Sequence, residues 1–236
     1  MTLEQMITVY EPTPETVELV QNSNITLLVG ISGAGKDTIK KKLLEKDGYS
    51  DITSHTTRPP RMNNNVLEQD GQEYHFVSVE TAQDMLVQKA FIEAKLVHGT
   101  VYGTSTDEVR RAHDQQKIAV TDIDVQGVDE YKQLSQDVIA IFILPPSFEI
   151  WRQRLMQRYE SAEAFDEEWP KRRTSAVQEL QQALSVPYYH FIINDELGRS
   201  VQIAEEIAHQ GDLFNRKDDE ARLVARDLLE DILAHS

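Results

Sequence analysis

Residues Gly30 to Thr38 read G-I-S-G-A-G-K-D-T; the apolar run Ile25 to Val29 precedes them and a helix-like run, Ile39 to Leu44, follows. A strand that enters a glycine-rich turn and leaves as a helix makes a phosphate cradle. Backbone N–H groups converge on phosphate oxygens, the helix N-terminus adds partial positive charge, and Lys36 supplies a full one. The spacing G-x-x-x-x-G-K is complete from Gly30 to Lys36, with Ser32, Gly33, Ala34 and Gly35 inside it, and it predicts a nucleoside triphosphate site. Asp37 stands where Ser or Thr is usual and Thr38 comes one place later, so Thr38 is the hydroxyl expected near a magnesium ion. A carboxylate in a helix's first turn is favourable electrostatically, which gives Asp37 a structural role; contact with the ion or its waters is the alternative.

A second constellation follows, Ser54-His55-Thr56-Thr57-Arg58-Pro59-Pro60-Arg61 and then Glu68-Gln69-Asp70-Gly71-Gln72-Glu73-Tyr74-His75-Phe76. Two arginines three apart, stiffened by prolines, suit a clamp on a second phosphate, because guanidinium binds phosphate oxygens bidentately. Further on lie Phe91-Ile92-Glu93, the stretch His98 to Thr104, and Asp122-Ile123-Asp124-Val125-Gln126-Gly127. Zero cysteines remove thiolate catalysis, cysteine-bound zinc and disulfides, and the seven histidines show no H-E-x-x-H spacing.

These groups need a frame. Strand-like runs at 118–123, 138–144 and 191–194 alternate with helix-like stretches at 125–134, 148–159, 169–184 and 197–209, the pattern of a parallel sheet covered on both faces. In such sheets ligands gather beyond the carboxyl ends of the strands, where Gly30 and Asp122 fall. Between Ser54 and Thr104 the rhythm changes to short extended pieces around one helix starting at Ser78, whose hydroxyl can cap it; this reads as an inserted lobe. Residues 1–23 read as a loose arm with one short helix. The tail, 210–236, carries Leu223, Val224, Leu228, Leu229, Ile232 and Leu233 near helical spacing and is expected to be amphipathic, docked on the chain's own core, with self-association into a homo-oligomer the alternative.

In this order the motifs resemble the guanylate kinase family, from about Asn24 to His209, with Ile143-Leu144-Pro145-Pro146-Ser147 and Ile193-Asn194-Asp195 completing the set. The resemblance implies an α/β, P-loop nucleoside-monophosphate-kinase-like three-layer fold: a central parallel sheet, an inserted small α+β GMP-binding lobe at about 54–104 and a helical lid at about 148–184. That places a kinase domain at 24–209 between an N-terminal extension, 1–23, and a C-terminal helical extension, 210–236. It implies transfer of the γ-phosphoryl group of ATP to GMP, with magnesium. Arg58, Arg61, Tyr74 and Tyr102 resemble holders of the GMP phosphate, with Glu68 in the same motif, and Ser54, Glu93, Thr104 and Asp124 resemble guanine readers. Guanine's N1–H and N2–H suit carboxylates and its O6 suits a hydroxyl, so adenine should be rejected. On the ATP side the resemblance implies Lys36 on the β and γ phosphates, Asn194 in the nucleotide site, Thr38 and Asp122 near the metal, and Arg154, Arg158 and Arg172 as lid arginines. Phosphoryl transfer then needs alignment and charge neutralisation, with no covalent nucleophile.

The chain departs from the family in three places. Asp37 is one; a second kinase family with this fold, which acts on ribose bisphosphate, resembles this loop in having an Asp after the lysine, which keeps a sugar-phosphate acceptor open. Residues Met62 to Leu67 form a turn longer by about four residues than the family's short one, an insertion of little cost to stability. Arg158-Tyr159-Glu160-Ser161 lacks the glycine usual after the second lid arginine. A non-catalytic guanylate-kinase-like binding module is the rival of a different class. A formal net charge of −16 disfavours a nucleic-acid footprint. The first residues lack a basic-then-apolar leader and no apolar run spans a bilayer, so a cytoplasmic protein is expected.

Overall fold

The computed structural model describes residues 1–63, 66–97, 99–210 and 216–235. Asn64 and Asn65 of the lengthened turn, His98 of the stretch His98 to Thr104, and residues 211–215 and Ser236 of the tail lie outside the described residues. In chain order the elements are α1 (Leu3–Thr8), α2 (Pro14–Gln21), β1 (Ile25–Val29), α3 (Lys36–Leu44), β2 (Tyr49–Asp51), β3 (His55–Thr56), β4 (Met62–Asn63), β5 (Val66–Leu67), β6 (His75–Phe76), α4 (Val79–Val87), β7 (Phe91–Val97), β8 (Thr100–Ser105), α5 (Thr106–Asp114), β9 (Ile118–Asp122), α6 (Val125–Leu134), β10 (Ile139–Leu144), α7 (Phe148–Met156), α8 (Ala162–Ser185), β11 (Tyr189–Ile193), α9 (Leu197–Gln210) and α10 (Arg216–Ala234). The chain is an α/β protein built around parallel strands. Its contacts divide it into two units, one of residues 1–25, 48–121 and 130–138, the other of residues 26–47, 122–129 and 139–236.

The second unit carries three parallel strands in the order β11-β10-β1. Their register pairs Val29 with Phe142 and Leu144 with Ile193, so the carboxyl ends open on one edge, where Gly30 and Asn194 follow directly. All five residues of β1 are buried, as a strand covered on both faces requires. Trp151 of α7 and Phe165 of α8 are fully enclosed in this unit, with the Trp169 ring packed against both at a tilt. α8 starts at a Ser161 cap that accepts from the Ala164 N–H and runs through Pro170, earlier than the residue 169 start read from the sequence. The buried Phe165 keeps the first turns helical although Pro170 removes one backbone donor. α10 buries Ala221, Ala225, Leu228 and Ile232 against its own unit, while Leu223 and Leu233 face solvent. Small side chains at 221 and 225 were passed over in the sequence because they carry little hydropathy, yet they let helices approach closely.

In the first unit β2 and β9 pair in parallel. The inserted segment forms a mixed sheet, β6-β3-β8-β7, with the β3–β8 and β7–β8 pairs antiparallel, and α4 begins after a Ser78 cap that accepts from the Thr81 N–H. The N-terminal residues are not the loose arm with a single helix expected from Pro12 and Pro14. Two helices form, α1 with a Thr2/Gln5 capping box and α2 with a Thr13 cap and Pro14 at its first turn. Tyr10 between them clamps β7: its hydroxyl donates to the Phe91 carbonyl at 2.5 Å and accepts from the Phe91 N–H at 2.9 Å. Pro14 here starts a helix rather than forbidding one.

Candidate active site

The glycine-rich turn is shaped by what crowds it. Gly30, Gly33 and Gly35 adopt positive φ of 141°, 87° and 99°. A Cβ at Gly30 would run into the Ile143 carbonyl oxygen, and one at Gly35 into the Asn194 amide, so only glycine closes the turn. Asn194, buried at the end of β11, donates from Nδ2 to the Ala34 carbonyl at 2.8 Å. Trp151 donates from its indole N–H to the Ser32 carbonyl at 2.8 Å. These two neighbours thus engage the Ser32 and Ala34 carbonyls, and the Ala34 N–H is taken by the Ile31 carbonyl at 3.0 Å; the other N–H groups of the turn remain for a ligand. α3 opens at Gly35 with no side-chain cap, so its first N–H groups and its positive dipole end are available to an anion. The sequence G-I-S-G-A-G-K makes a cradle that any Cβ at its tight points would fill, which fits a polyphosphate.

A cavity of about 450 Å³ lies over this turn, lined by Gly33, Gly35 and Thr38, by Arg154 and Arg158, and by Asn194 among others. Arg154 donates to the carbonyls of Asn194 at 3.0 Å and Ala34 at 3.5 Å, and Arg158 donates to Ser32 Oγ at 3.3 Å. Burial pushes the Arg154 guanidinium somewhat below its ordinary value. Lys36 folds back to donate from Nζ to the Gly30 carbonyl at 2.5 Å, and Asp37 stands exposed in the first turn of α3. Arg172 is held elsewhere, its Nε donating to the Tyr159 hydroxyl at 3.0 Å; the tyrosine in the glycine-less turn gives that arginine its anchor. Asp122 pairs with Lys40 at 3.3 Å. Asp124 accepts from the Gly127 N–H at 2.8 Å and thereby caps α6.

The inserted lobe of the first unit brings together a second set. Glu68 and Arg58, both buried, face each other fork to fork, NH1 to Oε2 at 2.5 Å and NH2 to Oε1 at 2.9 Å. Glu68 also accepts from the Arg61 N–H at 2.8 Å, so one carboxylate fixes both halves of the arginine pair. The hydrogen bond between the Arg58 and Glu68 side chains, more than any other influence, holds the Arg58 guanidinium above its ordinary value. Arg58 lies over the Tyr74 ring at 4.9 Å, and Tyr74 meets Tyr102 edge to face at 5.9 Å. Deeper in the lobe, Glu93 of β7 pairs in register with Thr104 of β8. Both are buried, and Ser54 Oγ lies 3.5 Å from Thr104 Oγ1. A wet end of cations and phenols and a dry end of carboxylate and hydroxyls suit a ligand with a phosphate and a polar base.

The family sequence model described as guanylate kinase matches residues 22–210, a span that takes in every one of these groups. This chain belongs to the guanylate kinase family. It is 36% identical to the guanylate kinase of Neisseria gonorrhoeae, over 76% of this chain and 84% of that protein. The guanylate kinase of Sus scrofa is 37% identical over 76% of this chain and 89% of its own length. Guanylate kinase 1 of Oryza sativa subsp. japonica is 39% identical over 72% of this chain, a match that spans 44% of the rice protein. The crystal structure of guanylate kinase from Anaplasma phagocytophilum superposes with a TM-score of 0.59 at 23% identity, covering 84% of this chain and 90% of that one, a likeness of fold.

Within this guanylate kinase fold, sequence reading passed over three residues. Trp151 braces the glycine-rich turn through its indole N–H, but in sequence it reads only as a core aromatic. Glu179 of α8 is held by the Ser175 hydroxyl at 2.8 Å; burial raises its carboxyl, with the Lys36 and Arg172 charges opposing and Asp124 adding. It is an i, i+4 position on a long polar helix, where nothing local signals proximity to the loop lysine. Tyr131 of α6 is fully enclosed beside Glu93 and Thr104, a neighbourhood that only the tertiary structure creates.

Proposed function

We propose that this chain is an ATP:GMP phosphotransferase that converts GMP, and dGMP as well, to the diphosphate by in-line transfer of the γ-phosphoryl group of ATP. The observation that carries the reading is the guanylate kinase family match over residues 22–210, which includes both the glycine-rich cradle and the inserted lobe. The role of each residue follows from its chemistry. The N–H groups of Gly33 and of Gly35 to Thr38 receive the triphosphate, and Lys36 exchanges its bond to the Gly30 carbonyl for the β and γ oxygens. Arg154 and Arg158, already on the loop's rim, neutralise the transferring charge, and Arg172 joins them from α8, where Tyr159 holds it. Arg58, with Arg61, Tyr74 and Tyr102, holds the acceptor's phosphate, while Glu68 keeps the pair in place. Ser54, Glu93, Thr104 and Asp124 read guanine.

Magnesium suits this donor set. The ion commonly takes one or two carboxylate or hydroxyl ligands and fills the rest of its octahedron with phosphate oxygens and water. No three His, Asp or Glu among the described residues form a metal cage of their own, so Thr38 and Asp122 would share the ion with the nucleotide. It supplies positive charge to the phosphate oxygens. The lobe at 54–104 serves as the acceptor lobe and 148–184 as the lid. No helix among the described residues is long and apolar enough to cross a membrane, and the reading places the protein in purine nucleotide metabolism in the cytoplasm. A homo-oligomer formed through the tail would use Leu223 and Leu233, since its buried stripe is spent on its own unit.

The test is product formation from magnesium-ATP with GMP, dGMP, AMP, UMP and ribose 1,5-bisphosphate offered separately, resolved by ion-exchange chromatography, for the wild type and Lys36→Ala. Diphosphate should appear with the guanine nucleotides alone and vanish in the variant. Transfer to the sugar bisphosphate, or silence with all five, would overturn the reading.

A further inference from the structure

Tyr131 is out of place as an ordinary core aromatic. Its ring and hydroxyl are completely enclosed. The hydroxyl reaches no partner at ordinary hydrogen-bond geometry among the described residues; the Thr104 side chain is the hydrogen-bonding group that acts on it, with the Glu93 carboxylate alongside. An enclosed, unsatisfied hydroxyl is costly, and phenylalanine would fill the same space without that cost. Such a violation is expected where a group is needed for something other than folding. The phenol is also chemically committed. Burial first, and then the neighbouring Glu93 charge, push it well above its ordinary value, whereas the Thr104 side chain opposes the shift. It therefore stays protonated at any working pH and can act as a donor.

The hydrogen-bond inventory of Thr104 says what that donor is for. A threonine hydroxyl has one proton to give and two lone pairs. Guanine O6 only accepts, while the matching group of adenine only donates, so a hydroxyl free to rotate could satisfy either base. A fixed donor aimed at the threonine oxygen removes that freedom: one lone pair is taken, the second faces Ser54 Oγ at 3.5 Å, and the proton is left for the ligand. We infer that Tyr131 is a positioning residue of the guanine subsite, its O–H closing onto Thr104 Oγ1 when a purine nucleotide enters and committing the Thr104 proton to a base that accepts at C6. The inference rests on the proposed GMP reading of the lobe and adds to it a residue outside the motifs that carry that reading.

Tyr131→Phe tests it. The affinity for GMP, measured by calorimetry, should fall by about tenfold, the effect of one lost hydrogen bond in an enclosed site, and the KM for GMP should rise with it. The KM for ATP and kcat should stay within about twofold, the preference for GMP over AMP should shrink, and the thermal midpoint should hold or rise, because an unpaired polar atom has gone. Combining the change with Thr104→Val should add nothing to the loss caused by Thr104→Val alone, since the phenol acts through that hydroxyl. Unchanged GMP affinity overturns the inference, as does a parallel rise of both KM values with a lowered thermal midpoint, the mark of a packing role. Full additivity in the double variant overturns the route through Thr104. Wild-type protein that neither binds nor phosphorylates GMP defeats the functional reading itself, and this inference with it.

Discussion

Glu68 shows how one side chain can be read in two ways and decided by its contacts. In sequence it belongs to the motif that resembles the acceptor site; in the structure its carboxylate is spent on the Arg58 guanidinium and the Arg61 N–H. It organises the clamp from behind. Removing one partner of a buried pair leaves the other charge uncompensated, at a cost of about 3–5 kcal/mol, whereas the net worth of the intact pair is far smaller. Glu68→Gln keeps the shape and one acceptor oxygen but loses the charge, so it should destabilise by about 2–3 kcal/mol in urea denaturation. The KM for GMP should rise more than that for ATP. A variant as stable as wild type would show that Arg58 finds another partner or water. The same logic explains Asp124, which caps α6, and Asn194, which braces Ala34: each holds a backbone group at a position proposed for the site, so its type was legible from the sequence and its partner was not.

Helix α10 makes the corresponding point for an element. Its apolar residues at 223, 224, 228, 229, 232 and 233 announced an amphipathic helix, yet the stripe that docks is Ala221, Ala225, Leu228 and Ile232. That set repeats at four, three and four residues, one face of a helix, and the two alanines sit where α10 comes close to its neighbours. Arg222 strengthens the docking, donating to the Tyr189 carbonyl at 2.8 Å and lying over the Phe191 ring at 4.7 Å. Ile232→Ala should therefore cost about 2–4 kcal/mol, the usual range for a fully buried isoleucine, while a change at exposed Leu223 should stay near zero. Equal effects at the two positions in denaturant titrations would mean that the stripe has been assigned to the wrong face. The N-terminal helices differ from their sequence reading for a related reason: Thr2, Thr13 and Pro14 are strong local start signals, but their value depends on a surface for Tyr10 to grip.

Across the whole molecule the acidic excess, 40 Asp and Glu against 24 Lys and Arg, does not by itself set the pH range of stability; buried groups do. His55 in the lobe is held low, at about 4 against its ordinary value of 6.5, by burial first and then by the neighbouring His75. Its Nδ1 is enclosed and completes no hydrogen bond among the described residues. The Glu108, Asp70 and Asp107 carboxylates pull the other way, and Glu108 is already engaged by His75 at 3.1 Å and by Arg111 at 2.7 Å. A group whose folded-state value is depressed lends its stability above the unfolded value and loses it as pH falls through the folded one. Stability should therefore decline between pH 6.5 and about 4, and His55→Asn should flatten that part of the curve. Thermal midpoints measured across the window check this; identical slopes for the two proteins would remove His55 as a cause.

The sequence alone was sufficient for the glycine-rich turn ahead of α3, the alternation of strands and helices and the capped start of α4 at Ser78. In each case the signal is local: glycines that must take positive φ, apolar periods of two or 3.6, a hydroxyl ahead of a helix. Tertiary structure decided the rest. It set which carboxylate neutralises Arg58, which face of α10 is buried, that Trp151 and Asn194 turn the loop's carbonyls aside, and that Tyr131 meets Glu93 and Thr104. Those are pairings between residues far apart in the chain, fixed by packing and by the need to satisfy buried polar groups, and residue type and local spacing carry no record of them.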